Sequence, residues 1–287
     1  MNNITLGIFI FLFVSQCYAQ SSFGNIGSIN QRGKISIKLE GANLTDGETV
    51  SAKSTLHATI GSDSFPFAIT ESTSSYKQET VGVGIAYAVT DQLEVFGGIA
   101  DGKQTQEGDI RSDDLSSYKL GIRFVPSQQH RLKMGIIVQA EKVDSKYTGG
   151  YQVPYIYNST TSYSIFGPVN GEENVSLTSF DVEVGFSLPF DVVTPYFGIF
   201  ANSITGDYSF SAQDNTTVQS CPRTGGSCSP ATTTEDVSLK LDSTLKENDM
   251  FGGVLGISFQ TMDNFHVDVE YQAGARKGFF FLANYTF

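Results

Sequence analysis

The sequence has no tryptophan, only three histidines and three cysteines, and few charged side chains for its 287 residues. It also lacks a long apolar run. A helix that spans a bilayer needs about 20 such residues, and the stretch from Ile4 to Val14 falls short of that. No segment therefore reads as a membrane-spanning helix. Basic residues are scarce as well, and the net charge of −12 argues against nucleic acid as a partner. With only His57, His130 and His266 available, few positions can supply a histidine base to a hydrolytic site.

The first apolar run still has a use. "NITLGIFIFLFVSQCYAQ" fits the apolar region of a secretory signal peptide, with cleavage expected after Ala19, although no Lys or Arg precedes it. Acylation at Cys17 is the alternative, but Gln16 stands where a small residue is expected. The expected organisation is a signal peptide over 1–19, a periplasmic N-terminal segment over 20–32, and one β domain over 33–287. Two cysteines remain after cleavage, Cys221 and Cys228, in "CPRTGGSC". An even pair in an exported chain suggests a disulfide. Pro222, Gly225 and Gly226 let the chain reverse between them. Two thiolates alone make half a zinc site, so no metal is expected there.

What the chain has in abundance is alternation. "KISIKLEG" sets Ile35, Ile37 and Leu39 against Lys34, Ser36, Lys38 and Glu40. "ETVGVGIAYAV", "LEVFGGIA", "SYKLGIRFV", "RLKMGIIVQAE", "SFDVEVGFSL", "PYFGIFA", "FGGVLGISF" and "FHVDVEY" repeat the pattern, and "GFFFLANYTF" ends the sequence on it. A period of two over such lengths is the strand template. The links between these segments fall into two classes. "TDQ", "PSQQH", "PFDVV" and "QTMDN" are short, whereas 42–79, 101–114, 142–178 and 203–248 are mostly long and polar.

Short and long links alternate along the chain, which is the rhythm of a transmembrane antiparallel up-and-down β-barrel with short periplasmic turns and long extracellular loops. A bilayer forces such a sheet to close, because unpaired edges are not tolerated in lipid. A soluble β-sandwich or lipocalin-like barrel would alternate too, but would bury the apolar face. The clear segments make ten strands. Twelve is the alternative, if Val50, Ala52, Ser54, Leu56, Ala58 and Ile60 mark an eleventh and "SFPFAITESTSS" a twelfth. Pro66 removes a ladder donor from that last segment, so 42–79 is read as a long extracellular loop, with a hairpin standing above the membrane as one form it could take.

"VGVGIAYAVTDQLEVFGGIADG" resembles a strand–turn–strand hairpin of small bacterial outer-membrane β-barrel proteins of the porin-like class. "GISFQTMDNFHVDVEYQ" followed by "FFFLANYTF" is similar to the closing strands of that class. Tyr285 and Phe287 match its aromatic C-terminal assembly signal. The resemblance implies a cell outer membrane of Gram-negative type, with outer-membrane lipid and the barrel assembly machinery as partners. It implies no particular solute.

If the apolar faces meet lipid, the other faces point into the lumen. They carry Lys34, Lys38, Lys119, Arg123, Arg131 and Lys133, and Glu40, Glu94, Glu141, Asp181, Glu183, Asp268 and Glu270. The signs nearly balance, so an internal salt-bridge network is expected, with a selective charged pore as the alternative. Gly82, Gly84, Ala86 and Ala88 leave one wall bare, where long side chains could lean or water could pass. The acidic loops, "DGKQTQEGDIRSDD" above all, match no calcium loop. No carboxylate–histidine cluster marks a strand end, so no catalytic residue, cofactor or enzymatic activity is expected. Two roles remain: a porin-like passive channel for small solutes, or a surface-interaction or structural barrel that meets an extracellular ligand through its long loops. "KYTGGYQVPYIYNSTTSYSIF" favours the second by its tyrosine content, whereas the resemblance favours the first, which is the expected role.

Overall fold

The computed structural model describes residues 24–51, 54–69, 72–106, 114–126, 131–152, 155–157, 161–222, 228, 232–247, 250–274 and 276–287. The signal peptide and Cys17 lie outside these residues, as do His130 and much of the loop over 101–114. The described chain is all strand and turn. Its strands are β1 (Ile35–Ser51), β2 (Ser54–Ile60), β3 (Asp63–Ile69), β4 (Ser72–Ala88), β5 (Leu93–Gln106), β6 (Asp114–Phe124), β7 (Lys133–Gln152), β8 (Tyr155–Tyr157), β9 (Thr161–Phe166), β10 (Pro168–Ser187), β11 (Val193–Pro222), β12 (Thr233–Glu247), β13 (Phe251–Met262), β14 (Phe265–Gly274) and β15 (Arg276–Thr286).

Ten of these close a ring, all antiparallel: β1, β4, β5, β6, β7, β10, β11, β13, β14 and β15 back to β1. This is the ten-stranded count. The twelve-stranded alternative does not form, because β2 and β3 make a hairpin that pairs with β12 instead of joining the ring. Gly61 turns that hairpin with a φ of 55°, the left-handed conformation that two-residue hairpin turns demand. The first and last strands meet in the closing seam, from Ser36 opposite Thr286 to Gly47 opposite Arg276. Phe287 N–H donates to the Ile35 carbonyl at its foot.

The outer surface of the ring carries Ile37, Leu39, Val83, Ile85, Ile99, Leu120, Ile122, Phe180, Phe197, Ile199, Leu255, Ile257, Phe279 and Phe281, all exposed. Its inner surface carries Lys38, Glu94, Arg123, Gln139, Asp181, Glu183, Asp268 and Glu270, all buried. Polar inside and apolar outside is the arrangement that hydrocarbon around the ring selects.

Above this tier stands a second one. The stretches 42–79, 142–178 and 203–248, expected as loops, are largely strand, because β1, β4, β7, β10 and β11 continue past the apolar band. β11 alone runs for 30 residues. Its lower part pairs with β13 and its upper part with β12, while β10 stays alongside through both. β12 also pairs with the top of β1 and with β2, so the upper tier closes above the tops of β13, β14 and β15. β8 and β9 continue the sheet from the top of β11. Inside lies an apolar core that includes Leu56, Phe65, Val175, Leu177, Tyr208, Phe210, Leu239 and Leu241. Gly206 is glycine because a Cβ there would collide with the Leu177 side chain of this core. The Phe65 ring meets Tyr163 edge-on at 5.7 Å, which brings β3 against β9.

Candidate functional site

The lumen of the lower tier is the site where charge is concentrated, and it is occupied by the chain itself. Of the segment expected below the barrel, residues 24–32 lie against the inner wall. Arg32 N–H donates to Asp91 in the turn before β5, and Gly33 N–H to the Ala88 carbonyl. The Asn30 amide donates to Glu94 at 2.9 Å and to Ser36, and accepts from Thr286. Ile26 is fully buried against β7 and β10: a Cβ at Gly135 would collide with its carbonyl, and one at Gly185 would meet its side chain. Asn25 N–H donates to Asp268 and Gly24 N–H to Glu270, each at 3.0 Å. These backbone donors satisfy carboxylates that the wall leaves facing inward. Sequence reasoning missed this segment, since "GNIGSIN" has no periodic pattern; its small residues are the one signal that it could thread a narrow space.

Around it several charged side chains of the wall meet in ion pairs. Glu94 is bridged by Lys38 at 3.4 Å and by Arg123 at 3.5 Å, and Arg123 also donates to the Ser28 carbonyl. Lys38 sits over the Phe96 ring. Lys119 pairs with Glu40. The bare wall is used by these long side chains: a Cβ at Gly98 would lie 3.0 Å from Lys119 Cε, and one at Gly84 3.6 Å from Glu40 Oε1. A cavity of about 10 Å³ is left beside them, lined by Glu40, Gly82, Gly98, Ser117, Lys119 and Glu141, room for about one water. Asp181 accepts from the Gln139 amide at 3.3 Å, and Glu270 from Gln272 and Tyr196.

The near-balance of signs is not what the lumen holds. Lys34 and Arg131 are exposed at the turn end, where Arg131 stacks over Phe190, and Lys133 is half-buried at the rim. Lys38, Lys119 and Arg123 face Glu40, Glu94, Glu141, Asp181, Glu183, Asp268 and Glu270, so the interior is acidic. Lys34 directly precedes β1, and Arg131 lies in the turn two residues before β7. At strand ends the alternation rule no longer fixes direction.

The remaining positions are spread out. Tyr285 and Phe287 face outward at the end of β15 with their rings 4.9 Å apart. Cys221 and Cys228 are joined in a disulfide at the top of β11. His57 is exposed on the β2–β3 hairpin, and His266 approaches Asn284 near the turn end. Among the described residues no group of three or more His, Cys, Asp or Glu is placed to hold a metal ion. In the upper tier, burial raises the Tyr151 and Tyr208 hydroxyls above the ordinary phenol range, and the Glu173 charge raises both further.

A closed antiparallel ring with lipid-compatible walls and a charged interior has one solvent it can live in. The chain is a transmembrane β-barrel of the outer-membrane type. No family model matches it, and no curated protein matches it in sequence. Among solved structures similar in outline are three membrane proteins. One is the outer membrane protease OmpT from Escherichia coli, at 8% identity and a TM-score of 0.42, covering 88% of this chain and 94% of that one. Another is the translocator domain of the autotransporter NalP from Neisseria meningitidis, at 10% and 0.40, covering 90% and 89%. The third is the COG4313 outer membrane channel from Pseudomonas putida F1, at 9% and 0.39, covering 93% and 99%. At this level of similarity the barrel's own walls, not its neighbours, make it a membrane protein.

Proposed function

We propose that the barrel resides in a bacterial outer membrane and acts through its upper tier, as a surface-interaction protein with no enzymatic role. The observation that carries this reading is the closure of the interior. The lumen carboxylates Asp181 and Glu183 are fully buried, Gly24 and Asn25 donate to Glu270 and Asp268 on another part of the wall, and the apolar core of the upper tier sits above. A chain that fills its own lumen and then builds a second folded tier outside the membrane has its working surface there. In this reading outer-membrane lipid surrounds the lower tier, and Tyr285 and Phe287 serve as the signal read by the assembly machinery. Recording from the refolded full chain in a planar bilayer tests it. No stable unitary openings are expected; reproducible openings of the full chain would refute it.

The second reading is the porin-like passive channel. It is favoured by the way residues 24–32 are held: by side-chain hydrogen bonds and the Arg123–Ser28 contact, not by strand pairing. A segment held so can be withdrawn. Deletion of residues 24–32 should open the barrel if this reading is correct, and leave it closed if the charged side chains and the upper core suffice to block it.

A further inference from the structure

The lower lumen holds negative charge that its own bases do not answer. Glu183 on β10 is fully buried, and neither of its carboxylate oxygens has a hydrogen-bond partner among the described residues. Asp268 Oδ1 on β14 is buried without one as well. Glu183 leans over Gly198 on β11, Tyr196 two residues away donates to Glu270 at 3.2 Å, and the adjacent Gly24 and Asn25 N–H groups donate to Glu270 and Asp268, so the three carboxylates line one stretch of the lumen. Arg123 is the cation that acts on Glu183 there, and its guanidinium is already engaged by Glu94 and the Ser28 carbonyl. Glu183 pairs with Phe200 on β11 and with Ile137 on β7, and a Cβ at Gly198 would lie 2.7 Å from its Oε1. Neither cross-strand neighbour offers a polar side chain to the carboxylate. A buried carboxylate without hydrogen bonds is costly, and the shared Arg123 answers only part of its charge.

We infer that this stretch of the lumen binds a monovalent inorganic cation, sodium or potassium in size, seated against Glu183 and within reach of the Asp268 and Glu270 charges. A divalent ion such as calcium takes six to eight converging oxygens, and no cluster of three or more acidic or histidine ligands converges among the described residues. A cavity of about 410 Å³ opens at the turn end, lined by Ser28, Asn30, Lys34, Asp263 and His266 among others. The site does not depend on whether the barrel conducts.

The test is the unfolding midpoint of the refolded full chain, read by heat modifiability, in sodium, potassium and choline chloride at equal ionic strength. Screening is the same in all three, whereas a cation bound only by the folded barrel raises the midpoint by mass action. The midpoint should be higher in sodium or potassium than in choline, and the difference should vanish in Glu183→Gln. Equal wild-type midpoints in the three salts would overturn the site, as would a difference retained in Glu183→Gln. A larger rise with calcium chloride would overturn the monovalent assignment. Should Glu183→Gln fail to fold, sodium-23 line broadening by the wild type decides instead. Broadening that potassium relieves and choline does not supports the site; no broadening refutes it.

Discussion

Val138, Val182 and Ala201 lie side by side on the outer face of the lower tier, and four residues along the same strands Lys142, Thr178 and Thr205 lie side by side on the outer face of the upper one. On the inner face Gln139, Asp181 and Asn202 give way to Val143, Leu177 and Ile204. No bulge intervenes, and the register of β7, β10 and β11 is unbroken across the change. Backbone and side-chain parity are the same in both tiers; only the surroundings differ. Where hydrocarbon lies outside, the strand hides its polar face. Where water lies outside, it hides its apolar face. One sheet thus serves two solvents, and which face is the core depends on height along the strand.

The sharpest way to separate the tiers is to damage one core and watch the other. Leu239 is fully buried in the upper tier, so Leu239→Ala should cost about 2–5 kcal/mol. Limited proteolysis should then cut within 203–247 while the lower barrel keeps its heat modifiability. Loss of both together would show a single folding unit. Next comes a matched pair on one face of β11. Ile199 points at lipid and Ser211 at water. Ile199→Arg should cost about 2–4 kcal/mol near the bilayer midplane, and Ser211→Arg within about 0.5 kcal/mol, both by denaturant titration in lipid vesicles. Equal costs would abolish the distinction.

The tiers were unequally legible in the sequence. The lower one could be read because its outward residues alternate without interruption and because its turns are short. Val237, Leu239, Leu241 and Leu245 alternate as plainly, yet they face a core in the upper tier, not lipid. Local pattern cannot separate the two cases; the partners can, since β12 lies between β11 and β2, whose outer faces are polar at that height. In β7 and β10 the apolar residues change faces part-way, which breaks the alternation and makes the upper half look like loop. The lumen was legible as charged but not as acidic, because Lys34 and Arg131 stand at strand ends where side chains turn to water.

Two smaller effects belong to the upper tier alone. Reduction of Cys221–Cys228 should release about 2–3 kcal/mol of constraint, the modest value for so short a loop. Faster amide exchange should then be confined to β9 and the end of β11 that pairs with it. Smallest at neutral pH is the tyrosine effect. Below about pH 10 the phenols are protonated in both folded and unfolded chains, and Tyr151 and Tyr208 cost nothing. Above that, unfolded phenols ionise while the buried pair holds its protons, so upper-tier stability should fall as pH rises. Ultraviolet phenolate titration alongside protease sensitivity checks both the delay and the sign.

The unbroken passage of β7, β10 and β11 from one tier to the next also decides how anything outside meets this protein. With no linker between them, the upper tier cannot swing about a hinge. Some 20 residues of β11 above the apolar band, at about 3.3 Å each and tilted as barrel strands are, set its tip on the order of 50 Å from the bilayer. A partner of the kind proposed would encounter a surface already oriented, at a set height above the bilayer. In the proposed surface role, little orientational freedom would be left to lose on contact, so even a small patch of interface could hold.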